Sequence, residues 1–402
     1  MDVAAVFLTL TALFAWLNAR ILKLPMTIGV MAFALGLSLL LILVNALGWF
    51  PAAAAYEASL LRSIDFSELL MQGMLSLLLF AGALGIDLGR LRAFRWQIAT
   101  LAGAGTILST VLVGFALWWG LPWAGLHLSL AECLLFGALI SPTDPIAVLG
   151  ILKSAGAPRD LELVISGESL FNDGVGVVLF VLLLGIAAGG HTPTPGDAGL
   201  LLLREAGGGI VFGLGLGYVG FRLMRSIDNY EAEVLVTLAM VIGGYALAGH
   251  LHVSGPLAMV VAGVLTGNQS RALAMSDTTR HHVDSFWHLV DGVLNAVLFV
   301  LIGMEVILIP FEPRLLPTAA VVIVVTLVAR WMSAGLPVQL MTRTFGLPPG
   351  SGRVLTWSGL RGGISVALAL SLPAGEARNV LIPLTYCVVV FSILCQGLTI
   401  GA

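Results

Sequence analysis

Three carboxylates and one guanidinium stand where the surrounding sequence is almost wholly apolar: Asp144, Glu168, Asp173 and Arg361. Asp144 belongs to Ser-Pro-Thr-Asp-Pro at 141–145, Glu168 and Asp173 to Gly-Glu-Ser-Leu-Phe-Asn-Asp-Gly at 167–174, and Arg361 to Gly-Leu-Arg-Gly-Gly at 359–363. On a helix Ser169 and Asp173 are four apart and share a face, while Glu168 and Asn172 share the adjacent one. Where that helix crosses the segment around Asp144, the two aspartates, the Ser169 hydroxyl and the carbonyls around Thr143 make an all-oxygen site. Oxygen ligands suit a hard cation such as Na⁺, and the absence of nearby His or Cys argues against a transition metal. A carboxylate taken out of water favours its neutral form, more so beside a second acid. One such acid, here Asp173, can therefore hold a proton and a metal ion in turn, which is sufficient for exchange. Glu168 and Arg361 are expected to pair, each offsetting the other's burial. An amide at Asn172 cannot take up a proton, so one proton per cycle is the simplest reading.

The elements carrying these residues must be irregular. Pro142 and Pro145 each remove a backbone donor and clash with the preceding turn, so the helix opens there. Gly359, Gly362 and Gly363 make a second weak point around Arg361. Unwound backbone at membrane depth is tolerated only where it is buried or lines a cavity. Both breaks thus predict a site.

Membrane depth follows from composition. The 402 residues are 58% apolar and 10% charged, against roughly 25% charged in soluble domains, and the mean hydropathy is +1.03. Apolar runs fall near 3–19, 24–47, 67–86, 97–121, 132–150, 162–190, 200–221, 231–250, 253–270, 285–309, 317–340, 351–372 and 378–400, each near the ~20 residues of a spanning helix. This predicts an all-α polytopic membrane protein of about thirteen transmembrane helices with no soluble domain. The N-terminal segment carries Asp2 in place of a basic region and reads as the first span, not a removed leader. With the N-terminus outside, basic residues concentrate in alternate loops, from Arg20 and Lys23 through Arg90, Arg92 and Arg95 to Arg343 and Arg353. That is the positive-inside pattern, and it puts the C-terminus in the cytoplasm.

The breaks lie in the fifth and twelfth runs, which cross in opposite directions. That arrangement fits two inverted six-helix repeats, about 1–190 and 231–400, joined by a linker helix at about 200–225 in one transmembrane domain. Interrupted segments at matching places in inverted halves mark the substrate site of a secondary transporter. The translocating core is expected to include 132–190 and 351–400. Net charge of −3 offers no basic surface for nucleic acid, and Cys133, Cys387 and Cys395 sit in apolar runs without disulfide or zinc spacing. A hydrolase is disfavoured, since neither His-Glu-x-x-His nor Gly-x-Ser-x-Gly occurs. A cation channel is the rival outside transport by exchange.

The three motifs, in this order, resemble those of the monovalent cation/proton antiporters, specifically bacterial NhaP-type and eukaryotic NHE-type sodium/proton exchangers. Leu-Lys-Leu-Pro at 22–25 and Leu-Phe-Val-Leu-Ile-Gly-Met-Glu at 298–305 extend the similarity over nearly the whole chain. The resemblance implies an NhaA-like antiporter fold, a homodimer in the cell membrane, and Na⁺/H⁺ exchange by alternating access without a prosthetic cofactor. It places the ion at the positions of Thr143, Asp144, Ser169 and Asp173, and pairs Glu168 with Arg361. The Asn172-Asp173 sequence is similar to that of the electroneutral branch, implying one Na⁺ per H⁺; Li⁺ or K⁺ is the alternative cargo. Many relatives carry a glutamate in the third span shortly before a Leu-Asp-Leu-like segment, where this chain has only Asp87. A regulatory tail is expected to be absent or truncated, as the sequence stops at Ala402 after the last run.

Weaker features remain. His281, His282 and His288 cluster with Asp277, Asp284 and Asp291 before the tenth run, and histidine titrates near physiological pH, so a cytosolic pH sensor or an adventitious metal site is one reading and a solvated helix end the other. Glu305 and Arg330 lie in consecutive runs and are candidates for a pair. Gly209, Gly213 and Gly217 line one helix face for packing within the chain or between subunits, and residues 56–71 suggest an interfacial helix.

Overall fold

The computed structural model describes residues 2–47, 66–154, 156–189, 195–270, 275–309, 315–340 and 346–400, and among them every regular element is helical. Fifteen segments carry the architecture. They are α1 Asp2–Leu17, α2 Met26–Ala46, α3 Phe66–Leu84, α4 Arg95–Ala124, α5 Leu130–Ile140, α6 Ile146–Ser154, α7 Arg159–Ala187, α8 Gly199–Met224, α9 Tyr230–His250, α10 Gly255–Leu265, α11 Asp277–Glu305, α12 Leu315–Leu340, α13 Ser351–Trp357, α14 Gly363–Leu370 and α15 Glu376–Thr399. Ten of these, α1–α4, α7–α9, α11, α12 and α15, lie in helices long and apolar enough to cross a membrane. The three remaining apolar runs are different. The ninth is α10, continued by one wider turn, Thr266–Ser270. The fifth and twelfth are each split, α5 from α6 and α13 from α14, at the two predicted breaks.

Local signals explain where the helices begin. Ser129 and Glu132 form a reciprocal capping box at the start of α5. The Asn229 side chain accepts from the Glu231 and Ala232 amides at the start of α9, and Ser276 accepts from Thr279 at the start of α11. α7 carries Asp160 and Glu162 in its first turn, where negative charge suits the helix dipole. Asp87, the acid in the third-span position, is used in the same way: its carboxylate caps the short helix Leu88–Ala93 by accepting from Arg90.

Packing depends on close helix approach. α5 lies between α4 and α7, and α10 between α3 and α8. The Gly209-Gly213-Gly217 face of α8 meets α10, where a Cβ on Gly213 would stand 2.5 Å from the Ala258 carbonyl oxygen and 2.9 Å from Val261. These glycines therefore pack within the chain; the intersubunit alternative does not apply to them. Gly213→Val is expected to destabilise the protein by about 1–3 kcal/mol through overpacking, seen as a lower melting temperature in detergent. The part of the 56–71 segment before Phe66 lies outside the described residues; from Phe66 onward the chain is the first turns of α3.

Candidate functional site

The two breaks touch. The amide of Asp144 donates to the carbonyl of Leu360 at 2.7 Å, so the unwound backbone of one crosses the unwound backbone of the other. Gly362 stands against the same residue, and a Cβ there would lie 2.7 Å from the Asp144 Cβ and Oδ2. Only a residue without a side chain allows this approach. Gly362→Ala is expected to slow turnover at least tenfold by displacing Asp144, with little change in expression; near-normal transport rates in this variant would show that the crossing tolerates displacement.

Breaking a helix orphans carbonyls at one end and amides at the other. The guanidinium of Arg361 answers the first need: Nη1 donates to the Ser141 carbonyl and, at 3.1 Å, to that of Pro142, at the C-terminal end of α5. Asp144 answers the second, its Oδ1 accepting from the Ile146 amide at 2.9 Å at the start of α6. The backbone amide of Arg361 is in turn held by the Ser392 hydroxyl of α15 at 2.9 Å. Positive charge at the carbonyl end and negative charge at the amide end complement the two half-helix dipoles.

The expected Glu168–Arg361 pair does not form. Glu168 is taken by Arg330 of α12, whose Nη1 and Nη2 donate to the two carboxylate oxygens at 2.6 and 2.7 Å, both side chains being buried. The Nε of Arg330 donates to the Leu355 carbonyl at 3.2 Å, near the end of α13. The physical reason for the exchange of partners is geometric. Arg361 sits inside the break and spends its donors on the carbonyls beside it, whereas Arg330 approaches from a neighbouring helix and presents the flat fork that a carboxylate matches. The alternative Glu305–Arg330 pair fails for the same reason, and Glu305 lies buried apart from it.

From Glu168 a chain of hydrogen bonds runs into the break. Asn172 Nδ2 donates to Glu168 Oε1 at 2.9 Å and to Thr143 Oγ1 at 2.8 Å, while its Oδ1 accepts from the Thr143 amide at 3.3 Å. The Thr143 and Ser169 hydroxyls lie 2.9 Å apart. Asn172 uses both a donor and an acceptor face, and a carboxylate there would lose the donors and oppose Glu168. The amide read from the sequence as a missing proton site is thus also a structural joint.

Asp173 is different. It is 92% buried, being 8% exposed, and among the described residues no side chain or amide bonds to its carboxylate. It faces a cavity of about 350 Å³ shared with Thr143, Asp144, Pro145, Ser166 and Gly362, which has room for on the order of ten waters. Of the four residues expected to hold an ion, Thr143, Asp144 and Asp173 border this cavity, and Ser169 reaches it through Thr143. The wall supplied by α3 is apolar, from Leu70 to Gly82. Among the histidines, His288 lines the cavity with Asp291, whereas His281 and His282 are exposed and His282 stacks on Tyr230 at 4.4 Å. Arg330 was missed from the sequence as the partner of Glu168, although an arginine inside an apolar run is signal enough that some buried acid must answer it.

The chain is similar to known proteins in sequence and in fold. The family described as the transmembrane sodium/hydrogen exchanger matches residues 8–402. The chain is 51% identical over 405 aligned residues to the Na⁺/H⁺ antiporter NhaP of Pseudomonas aeruginosa, covering 100% of this chain and 95% of that one. It is 34% identical to the Na⁺/H⁺ antiporter NhaH of Halobacillus dabanensis, covering 89% and 88% of the two chains. Among solved structures, the sodium proton antiporter MjNhaP1 of Methanocaldococcus jannaschii at pH 8 has the same fold, with a TM-score of 0.72 at 19% identity over 98% of this chain and 97% of that one.

Proposed function

The chain belongs to the sodium/hydrogen exchanger family, and on that premise we propose that it is a secondary active transporter exchanging Na⁺ for H⁺ across a cell membrane. The observation that carries this reading is Asp173, a carboxylate buried at the crossing of two broken helices, without a partner among the described residues, and open to a cavity it shares with Asp144. A buried acid left unpartnered must find a proton or a cation. Two such states that exclude each other, combined with access from alternate sides, make an exchanger.

Thr143, Asp144, Ser169 and Asp173 form the cargo site, and Glu168, Asn172, Arg330 and Arg361 hold its frame. At the crossing, one acid, Asp173, bonds to no protein group among the described residues, and with an amide at Asn172 this supports an electroneutral exchange of one Na⁺ per H⁺. The thirteen apolar runs are thirteen crossings, arranged as repeats at about 1–190 and 231–400 around a linker at about 200–225, with the N-terminus outside and the C-terminus in the cytoplasm. The cavity then opens to the cytoplasmic side, where α6 and the beginning of α11 meet the basic loops. The functional unit is a homodimer whose core, including 132–190 and 351–400, moves the site.

Proteoliposomes with an imposed pH gradient test the reading. Added Na⁺ should dissipate the gradient, Li⁺ and K⁺ should be compared at equal concentration, and the rate should not respond to a clamped membrane potential. A gradient indifferent to all three ions would dismiss the proposal.

A further inference from the structure

Away from the crossing, another acid is shut inside the bundle. Glu233, in the first turns of α9, is 0% exposed, and neither of its carboxylate oxygens has a hydrogen-bond partner. A glutamate so near a helix start commonly finds a free amide of its own first turn. Here Asn229 has taken those amides: its side chain accepts from Glu231 and Ala232 at 3.0 and 3.1 Å, and its carbonyl accepts from the Glu233 amide at 3.0 Å. On the same stripe of α9, Tyr230 and Thr237 lie three before and four after Glu233, and both reach α11. Tyr230 stacks on His282 with ring centroids 4.4 Å apart, and Thr237 Oγ1 accepts from Trp287 Nε1 at 3.0 Å. Asp228, just before the helix, accepts from the Thr279 hydroxyl at 3.4 Å. α11 is also the helix that lines the cavity with His288 and Asp291. Around this seam stand Arg280, His281, His282 and Asp284 of α11, and Arg222 and Arg225 at the end of α8, yet none of them donates to the Glu233 oxygens. Asp228 adds a like charge nearby, while α10 has no charged residue and α3 only Glu68, at its start.

We propose that Glu233 is a proton-binding residue that fastens the first turns of α9 to α11, separate from the cargo site at Asp173. A carboxylate with neither water nor a donor stays in place only with a proton bound. The neutral acid lets the Tyr230–His282 and Thr237–Trp287 contacts close over it. Loss of the proton in alkali leaves a bare charge beside Asp228, and the seam parts to let water reach it. His288 and Asp291 follow Trp287 on α11, so parting of the seam reaches the wall of the cavity. Protons that are bound and not carried thus act on the transport path. The proposal does not depend on which ion is exchanged, and its test can fail with the antiport reading intact.

The test compares purified wild type, Glu233→Gln and Glu233→Met in detergent between about pH 5.5 and 9, with Glu231→Gln, at an exposed acid of the same turn, as the control for surface charge. Unfolding puts the Glu233 carboxyl in water, where it gives up its proton above about pH 4.3. The folded chain keeps that proton, so wild-type stability falls with rising pH until the folded form releases it too. Gln and Met have no proton to lose, and histidine titration is common to all four proteins and cancels. The melting temperature of each Glu233 variant relative to wild type should therefore rise by about 2–4 °C across this range, whatever constant offset the new side chain brings, and Glu231→Gln should show no such rise. Hydrogen exchange of the wild type, corrected for the intrinsic rate at each pH, should show the amides of residues 283–287 losing about tenfold in protection at the alkaline end, with no loss in Glu233→Met. A melting difference flat with pH, or one matched by Glu231→Gln, overturns the proposal. So does wild-type protection that is equal at both ends of the range, a measurement that needs no variant to fold.

Discussion

Asp173→Asn is expected to abolish Na⁺-driven proton movement, to less than about one hundredth of the wild-type rate, while the protein still inserts and purifies as a monodisperse species. The substitution keeps the shape of the side chain and removes both its charge and its ability to carry a proton. No hydrogen bond within the protein is lost, because the Asp173 carboxylate makes none among the described residues. The variant therefore separates transport from folding more cleanly than any other at the crossing. Asp144→Asn is less clean, since Asp144 Oδ1 accepts from the Ile146 amide and supports the start of α6. Retained exchange in Asp173→Asn, measured in proteoliposomes under a pH gradient, would move the cargo site elsewhere.

Separating Glu168 from Arg330 gives the second large effect, on stability. The pair is bidentate, both side chains are buried, and Glu168 also accepts from Asn172. Removing one partner leaves an uncompensated buried charge at a cost of about 3–5 kcal/mol. Arg330→Met and Glu168→Met should each lower the melting temperature and the yield of folded protein, since each strands the charge of the other partner. The double variant Arg330→Met with Glu168→Met should recover much of the loss, because a buried pair replaced by apolar groups of similar volume is often neutral or better. Recovery of stability without recovery of transport would identify the pair as the anchor of the Asn172–Thr143 joint. Additive losses in the double variant would falsify the coupling, and the pair would then be two independent contacts.

Much of the architecture was legible in residue order because lipid imposes a one-dimensional test. Each crossing needs its run of apolar residues and its internally bonded backbone, so the composition of a single stretch reports its place. The ten long helices and the two interruptions follow from this, and the prolines at 142 and 145 put the first break where the structure has it. The acids at 144, 168 and 173 stood out for the same reason, since nothing masks a charge in so apolar a setting. The histidine cluster shows the limit. Spacing grouped His281, His282 and His288 at one helix end, whereas the turn of α11 sends only His288 to the cavity with Asp291.

What residue order alone determined, then, is the helical and apolar kind of the elements, the places where two of them must open, and the oxygen-bearing residue types that stand there. What only the tertiary structure decided is partnership between helices. Glu168 and Arg330 are separated by 162 positions, and no periodicity within one span reports which other span lies beside it. Lateral neighbours are chosen by close packing, as where Gly213 meets Ala258 or Gly362 meets Asp144, and that choice sums many contacts from the whole bundle. Arg361 was available to Glu168 by charge but not by position, because the orphaned carbonyls of its own crossing lay nearer.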